Sequence, residues 1–356
     1  MQPRFEGDEI EIAGRALLSD SGMATVSASN SGVLAYLDGS SRESDSRLAW
    51  VDRSGNTLGT EGPVGPPSPT SLSPDEGLIT ILRRGAGSTF GDLWTREPGR
   101  AGAESKITFG DAASQGGNIV WSPDGNHIAF PSRASGVGDL SIMDRPFSGA
   151  EPRPVVRSKN RTNVTDWFDK YLVYTEVDAK TGGTGADVWY QRLTPAAQAE
   201  GAPVRLLHAN YTESFGQISP DGHWIAYLSN ETTYNEIYVQ RFPAGGDKQM
   251  ISESAGAGQV QQPRWSRDGR TLFYVTGPAG RYTLMAVPVV LAPTFHRGAA
   301  QRLFDARINS VHPVGGTFFY SVSTDGQRFL LDRVDSPSEP VLKAIANWQQ
   351  AFAKAK

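Results

Sequence analysis

The chain has 356 residues, 38% hydrophobic and 20% charged, a balance that excludes a disordered polymer. Net charge is −4, with no cluster of Lys and Arg and no Cys. This argues against a nucleic-acid footprint and excludes disulfides, a thiolate nucleophile and Cys-based metal sites. Gly (39) and Pro (23) are spread along the chain, which predicts many turns and either two domains or one large all-β domain.

In chain order, the first stretch, MQPRFEGDEIEIAGRALLS, is acidic and has no long apolar region, so it does not read as a secretory signal. No run of about 18 apolar residues follows, so no membrane segment is expected. A repeat then sets in, aligned on a serine: SNSGVLAY at Ser29, SPDEGLITI at Ser73, SPDGNHIAF at Ser122, SPDGHWIAY at Ser219, SRDGRTLFY at Ser266 and STDGQRFLL at Ser323. The gaps are 44, 49, 97, 47 and 57 residues. The long gap predicts a degenerate unit, and TDWFDKYLVYT (165–175) fits it with a turn at Phe168-Asp169-Lys170.

Each unit predicts four short strands. An apolar run precedes the turn, and an alternating strand follows it. A third strand opens on an acid, as in DLWTR (92–96), DLSIMD (139–144), DVWYQRL (187–193) and EIYVQRF (236–242). A fourth follows, as in KITF (106–109), PVVR (154–157), VRLLH (204–208) and KQMIS (248–252). Four strands per unit of about 45 residues is the signature of a propeller blade. The expectation is an all-β, single β-propeller domain over 1–356, with seven blades and six as the alternative. The repeats run 24–68, 69–115, 116–161, 162–213, 214–260, 261–316 and 317–348. Residues 1–18 match the tail of a blade (compare 284–304), so a closing segment at 1–20 is expected to pair onto the last unit near Arg15–Leu18. A helical period is visible only in the last ten residues.

The recurring Ser-Pro-Asp-Gly reads as a hairpin turn. Pro presets φ, Asp bonds the local backbone, and Gly supplies a positive φ. Asp75, Asp124, Asp221, Asp268 and Asp325 are accordingly structural. Trp121, Trp167 and Trp265 share one register before the turn and are expected to pack between blades. The five histidines show no metal-binding spacing, and 178–187 reads as a hairpin loop rather than a calcium loop. Asp92, Asp139, Asp187 and Glu236 form a ring of acids read as loop caps. Two residues before each aligned serine stand Ser27, Ser71, Val120, Asp166, Gln217, Arg264 and Ser321. Alternation puts them on the face opposite the interblade apolar positions. Asp166, Gln217, Arg264, Ser71, Ser321 and Asn118 are therefore the candidate ligand-binding residues at a central channel. Equally open is that Asp166 and Arg264 satisfy each other or neighbouring backbone. Asp166 and Asn118 are the candidate metal ligands.

The segments SPDGHWIAYLSNETTYNEIYVQRFP, QPRWSRDGRTLFYVT, LMAVPV and NWQ resemble the TolB-like, WD-like propeller repeats of bacteria. Within that family the chain most resembles the sensor-like propeller at the C-terminus of acidobacterial-type serine/threonine protein kinases. The resemblance spans essentially the whole chain and implies a propeller fold and an extracytoplasmic setting. In those relatives the propeller follows a kinase domain and a membrane helix. This chain shows no Gly-rich phosphate loop, H-R-D or D-F-G, and HRG at 296–298 is no substitute. It begins mid-blade and so resembles a piece of a longer chain. The repeats also resemble propellers fused to prolyl oligopeptidase-type hydrolases, but no G-x-S-x-G elbow occurs.

Two functions are therefore weighed. One is a non-catalytic module that binds or senses a small molecule or protein at the channel mouth, with no nucleic acid and no cofactor. The other is a hydrolase opening a lactone or ester at the channel with the help of a calcium ion, which can polarise a carbonyl and activate water. No catalytic residue is assigned.

Overall fold

A computed structural model describes residues 26–29, 31–37, 46–65, 68–84, 91–100, 102, 104–109, 117–132, 139–145, 147, 151–177, 185–207, 209–253, 259–278, 281–308, 317–334 and 342–346. All regular elements among them are strands. The expected closing segment 1–20, the C-terminal helix and most of the loop at 178–187 lie outside the described residues.

The chain forms two compact units, 1–45 with 334–356, and 46–333. In the first, β1 (Val26–Ala28), β2 (Val33–Leu37) and the last strand of the chain, β28 (Leu342–Ala346), make a three-stranded antiparallel sheet.

Among the described residues, the second unit consists of antiparallel sheets, five of four strands and one of five. In chain order come β3 (Ser46–Asp52) and β4 (Thr57–Gly65). A sheet of β5 (Thr70–Leu72), β6 (Ile79–Arg84), β7 (Gly91–Arg96) and β8 (Glu104–Lys106) follows. The next contains β9 (Val120–Trp121), β10 (His127–Ser132), β11 (Asp139–Asp144) and β12 (Arg153–Val156). After it come β13 (Arg161–Phe168), β14 (Tyr171–Val177), β15 (Ala186–Leu193) and β16 (Ala199–Arg205). Then β17 (Glu213–Ile218), β18 (Trp224–Ser229), β19 (Glu236–Arg241) and β20 (Gln249–Met250) form a sheet. In the next, β21 (Gln259–Trp265), β22 (Thr271–Gly277) and β23 (Tyr282–Val290) are joined by β24 (His296–Arg297) and β25 (Gln301–Ala306), which both pair with β23. Finally β26 (Tyr320–Val322) and β27 (Arg328–Val334) share a sheet with β3 and β4, in the order β26-β27-β3-β4.

Residues 24–68 therefore do not form one sheet. The first two strands of that repeat pair with β28, and its last two complete the sheet begun by β26 and β27. Hairpin spacing counts strands but does not say which open edge takes the next one. The degenerate unit is present, as β13 and β14 around a turn in which Asp169 has φ +48°. The fourth strand β16 is largely exposed and begins at Ala199, earlier than its apolar residues suggest.

The turn chemistry is uniform. Each aligned serine from Ser73 onward donates its hydroxyl to the aspartate two residues on, at 2.5–2.6 Å. That aspartate also accepts the N–H two residues further on. Gly125, Gly222, Gly269 and Gly326 take φ between +66° and +75°. At Gly222 a Cβ would stand 2.9 Å from the Phe168 ring, so space as well as φ demands glycine.

The apolar core is divided into clusters, each shared by two sheets. Leu82, Leu93 and Trp121 join the β5 and β9 sheets, and Leu140, Val164 and Trp167 join β9 and β13. Val173, Val188 and Ile225 join β13 and β17, while Trp224, Trp265 and Leu272 join β17 and β21. Phe273, Phe304 and Phe329 join β21 and β26, and Trp50, Ile79 and Leu330 join the β26 and β5 sheets. The three register-matched tryptophans are at most 9% exposed and pack between sheets as expected. Side chains of the inner strands add polar ties between neighbouring sheets: Thr165 to the Gly216 carbonyl (2.8 Å), Trp265 to the Gln217 carbonyl (3.0 Å), and Tyr320 to the Gln262 carbonyl (2.7 Å).

Candidate functional site

The inner strands β13, β17 and β21 each carry a register shift at one place, between Val164 and Asp166, Ser214 and Gln217, and Gln261 and Arg264. A bulge bends a strand and re-aims the side chain that follows it. Here the residue that follows is the predicted site residue in every case. Two bulges hold a non-glycine residue at positive φ, Phe215 (+60°) and Gln262 (+59°). The third has Thr165, tied by its hydroxyl to Gly216. Gly216 itself is needed because a Cβ would lie 2.8 Å from Val188.

Asp166, Gln217 and Arg264 thus meet Ser71 of β5 and Ser321 of β26 around one pocket of about 270 Å³. Five of the six candidate residues are brought together. The sixth, Asn118, lies apart from the lining and is buried. Its N–H donates to Asn163 Oδ1 (2.7 Å), its amide nitrogen to the Val164 carbonyl (2.9 Å), and its amide oxygen accepts the Phe318 N–H (2.7 Å). It links the β9, β13 and β26 sheets instead. Val120 holds the same register position but is not among the lining residues. Ser27 stands exposed on β1 of the other unit.

The electrostatics of the pocket are unbalanced. Asp166 Oδ2 accepts the Ile218 N–H at 2.7 Å. Burial raises its carboxyl from 3.8 to about 6, outweighing the N–H groups of Ile218 and Trp167 and the charge of Arg264. Arg264 lies over the Phe318 ring, 3.9 Å from its centroid, with Tyr320 at 6.0 Å. It has no hydrogen bond or ion pair among the described residues, and its Nε is buried without an acceptor. Of the alternative reading, one part holds: Asp166 bonds neighbouring backbone at Ile218, while it and Arg264 feel each other's charge without forming an ion pair. The Gln217 amide nitrogen donates to the Thr165 carbonyl. The Ser71 and Ser321 hydroxyls have no partner among the described residues, although both residues are at most 9% exposed. At the rim, Arg267 donates to the Pro74 carbonyl (2.8 Å), and Glu76 accepts from the Thr324 N–H (2.5 Å) and pairs with Arg328 (2.9 Å).

The bulges and the Phe318 platform are what sequence reasoning missed. Pro263 beside Arg264 was the one local signal, since Pro inside an inner strand marks a bulge.

Three of the four acids that open third strands are engaged within the fold, whereas Asp139 Oδ2 is buried with no hydrogen-bond partner among the described residues. Asp92 pairs with Lys106 (2.7 Å) and accepts from Thr108, Asp187 pairs with Arg205 (2.6 Å), and Glu236 accepts from Ser252. His127 bonds Asp144 (2.8 Å) and stacks on Trp167. Among the described residues no three His, Asp or Glu side chains gather as a metal site. No described helix is long and apolar enough to cross a membrane.

No family model and no curated protein matches the sequence. Solved structures do match. A TolB-type protein from Agrobacterium tumefaciens aligns with a TM-score of 0.62 at 19% identity, covering 82% of this chain and 99% of its own. TolB from Acinetobacter baumannii aligns at 0.50 and 15% identity, over 86% of this chain and 67% of its own. A 6-phosphogluconolactonase-type protein from Bacteroides uniformis aligns at 0.50 and 11%, over 85% and 97%. At such identities the likeness speaks for the fold alone, and the fold is that of the TolB-like β-propellers.

Proposed function

We propose that this chain is a non-catalytic binding or sensing propeller, and that its ligand, a small molecule or a segment of a protein, enters the pocket around Arg264. One observation carries the reading: five inner strands deliver the residue of one repeat position to one pocket, and the Nε of the arginine among them is buried with no hydrogen-bond acceptor among the described residues. A buried N–H left without an acceptor costs about 1–3 kcal/mol, a cost removed when a ligand supplies the acceptor. The resemblance of the repeats to the sensor-like propellers of bacterial kinases supports the same reading.

We further infer that the sheets of 46–333 are six blades of one ring, with β3 and β4 completing the blade of β26 and β27. Among the described residues, six sheets are joined pairwise by six shared apolar clusters, which supports a closed ring. The pocket then lies at the mouth of the axis.

The test is a ligand-observed NMR screen of a small-molecule set against the whole chain, repeated with Ser71→Tyr, which fills the pocket. Hits should disappear in a variant that melts within a few degrees of wild type. Hits that persist would place binding elsewhere. Chelator-sensitive hydrolysis of lactones or aryl esters, lost in Asp166→Ala, would replace the binding reading with the calcium-assisted hydrolase.

A further inference from the structure

The pocket's polar groups are mostly donors. Arg264 has a buried Nε–H with no acceptor among the described residues, Ser71 and Ser321 line the pocket with hydroxyls, and Arg267 at the rim donates to the Pro74 carbonyl. The groups that only accept are the ionised Asp166 carboxylate, already receiving the Ile218 N–H, and the Gln217 amide oxygen, while the serine hydroxyls can donate or accept. A surplus of donors around a guanidinium selects an oxyanion. The cavity lined by Glu61, Arg96 and Glu104 is instead internally ion-paired at 3.2 and 3.4 Å.

Which oxyanion follows from Asp166. It is the one acid of the lining, and it faces Arg264 from β21 and Arg267 from the next turn, with neutral Gln217, Ile218, Ser71 and Ser321 between. A phosphate dianion beside it would meet two repulsions where a carboxylate meets one, and a protonated Asp166 can donate to a carboxylate oxygen. The wall also carries the apolar side chains of Leu72, Phe168, Ile218, Trp265 and Val322, beside the turn serines Ser73, Ser266 and Ser323, whose hydroxyls are already given to turn aspartates, and Thr324. About 270 Å³ admits an aromatic or branched aliphatic body.

Resting on the binding reading above, we infer that the pocket takes a small monocarboxylic acid with an apolar body, its carboxylate seated on Arg264 and bonded by the Ser71 and Ser321 hydroxyls. Arg267 attracts the anion at the rim and is released from Pro74 on its entry.

Benzoate, benzamide and phenyl phosphate are the probes, titrated into the whole chain near neutral pH and followed by NMR. Benzoate should bind at least tenfold more tightly than benzamide and more tightly than phenyl phosphate. Arg264→Gln should lower benzoate affinity at least tenfold, and the exposed Arg267→Gln two- to fivefold. Should Arg264→Gln fail to fold, Ser71→Ala and Ser321→Ala remove the hydroxyls alone, each with an expected three- to tenfold loss. Benzamide equal to benzoate, or no benzoate binding at millimolar concentration, overturns the carboxylate assignment. Phenyl phosphate as the tighter ligand overturns it in favour of a phosphate. Either result leaves the pocket standing if the Ser71→Tyr screen loses its hits, whereas hits indifferent to Ser71→Tyr remove the site itself.

Discussion

Asp166 and Asp332 share an unusual state. Burial lifts each carboxyl from 3.8 to about 6. For Asp332 this outweighs bonds from the Ser46 hydroxyl and the Ser68 N–H and the charge of Arg83. A native carboxyl that holds its proton more tightly than the unfolded one contributes stability that is complete below about pH 4 and lost as pH rises through about 6. Asp332→Asn, or Asp166→Asn, should therefore flatten the fall in melting temperature of the wild type between pH 4 and 7. The turn aspartates Asp75, Asp124, Asp268 and Asp325 have the opposite sign, because the neighbouring serine hydroxyl holds each below its usual range. Their small contribution is present above about pH 4 and lost in acid. Asp166→Asn has a second consequence at the pocket. With the negative charge gone, benzoate should bind more tightly at pH 7.5 than in wild type. The position of Asp166 was legible from the repeat register. Its missing ion pair with Arg264 was not, because separation in space and a competing aromatic face are invisible along the chain.

At the scale of the element, the Ser-Pro-Asp-Gly hairpin is a structural device whose glycines are not equivalent. Gly222→Ala meets both an unfavourable φ of +75° and the Phe168 ring, whereas at Gly125 (φ +71°) the nearest atom to a new Cβ is Pro74 Cδ at 3.8 Å. The backbone term is about 1–2 kcal/mol for either. Gly222→Ala should cost about 1 kcal/mol more, since the ring must move or be overpacked, and urea melts of the two variants measure the difference. Asp221→Ala should cost about 1 kcal/mol for its lost hydroxyl and N–H bonds and leave ligand binding unchanged. The turn was readable because its chemistry is local. The bulges at Thr165, Phe215 and Gln262 were not, since each depends on what the partner strand does opposite.

For the whole molecule, the decisive pairing is β3 with β27, between segments near opposite ends of the sequence. A chain truncated before Ser46 should keep a cooperative thermal transition for 46–333, because β3 and β4 remain. One truncated before Ser68 removes two strands, exposes the edge of β27 and uncovers the Trp50–Leu330 cluster. It should lose that cooperativity or aggregate. Calorimetry of the two truncations separates them.

The sequence by itself determined the strand content, the turn chemistry, the tryptophans between sheets and a repeat position whose residues line the pocket in five of its seven units. Each follows from local stereochemistry or from the two-residue period of a strand. Only the tertiary structure decided where the repeat 24–68 divides, that Asn118 is taken up in linking sheets, and that Arg264 rests on Phe318 without an acceptor. Those outcomes depend on which edges and faces meet in space, and a repeat spacing says nothing about its partners.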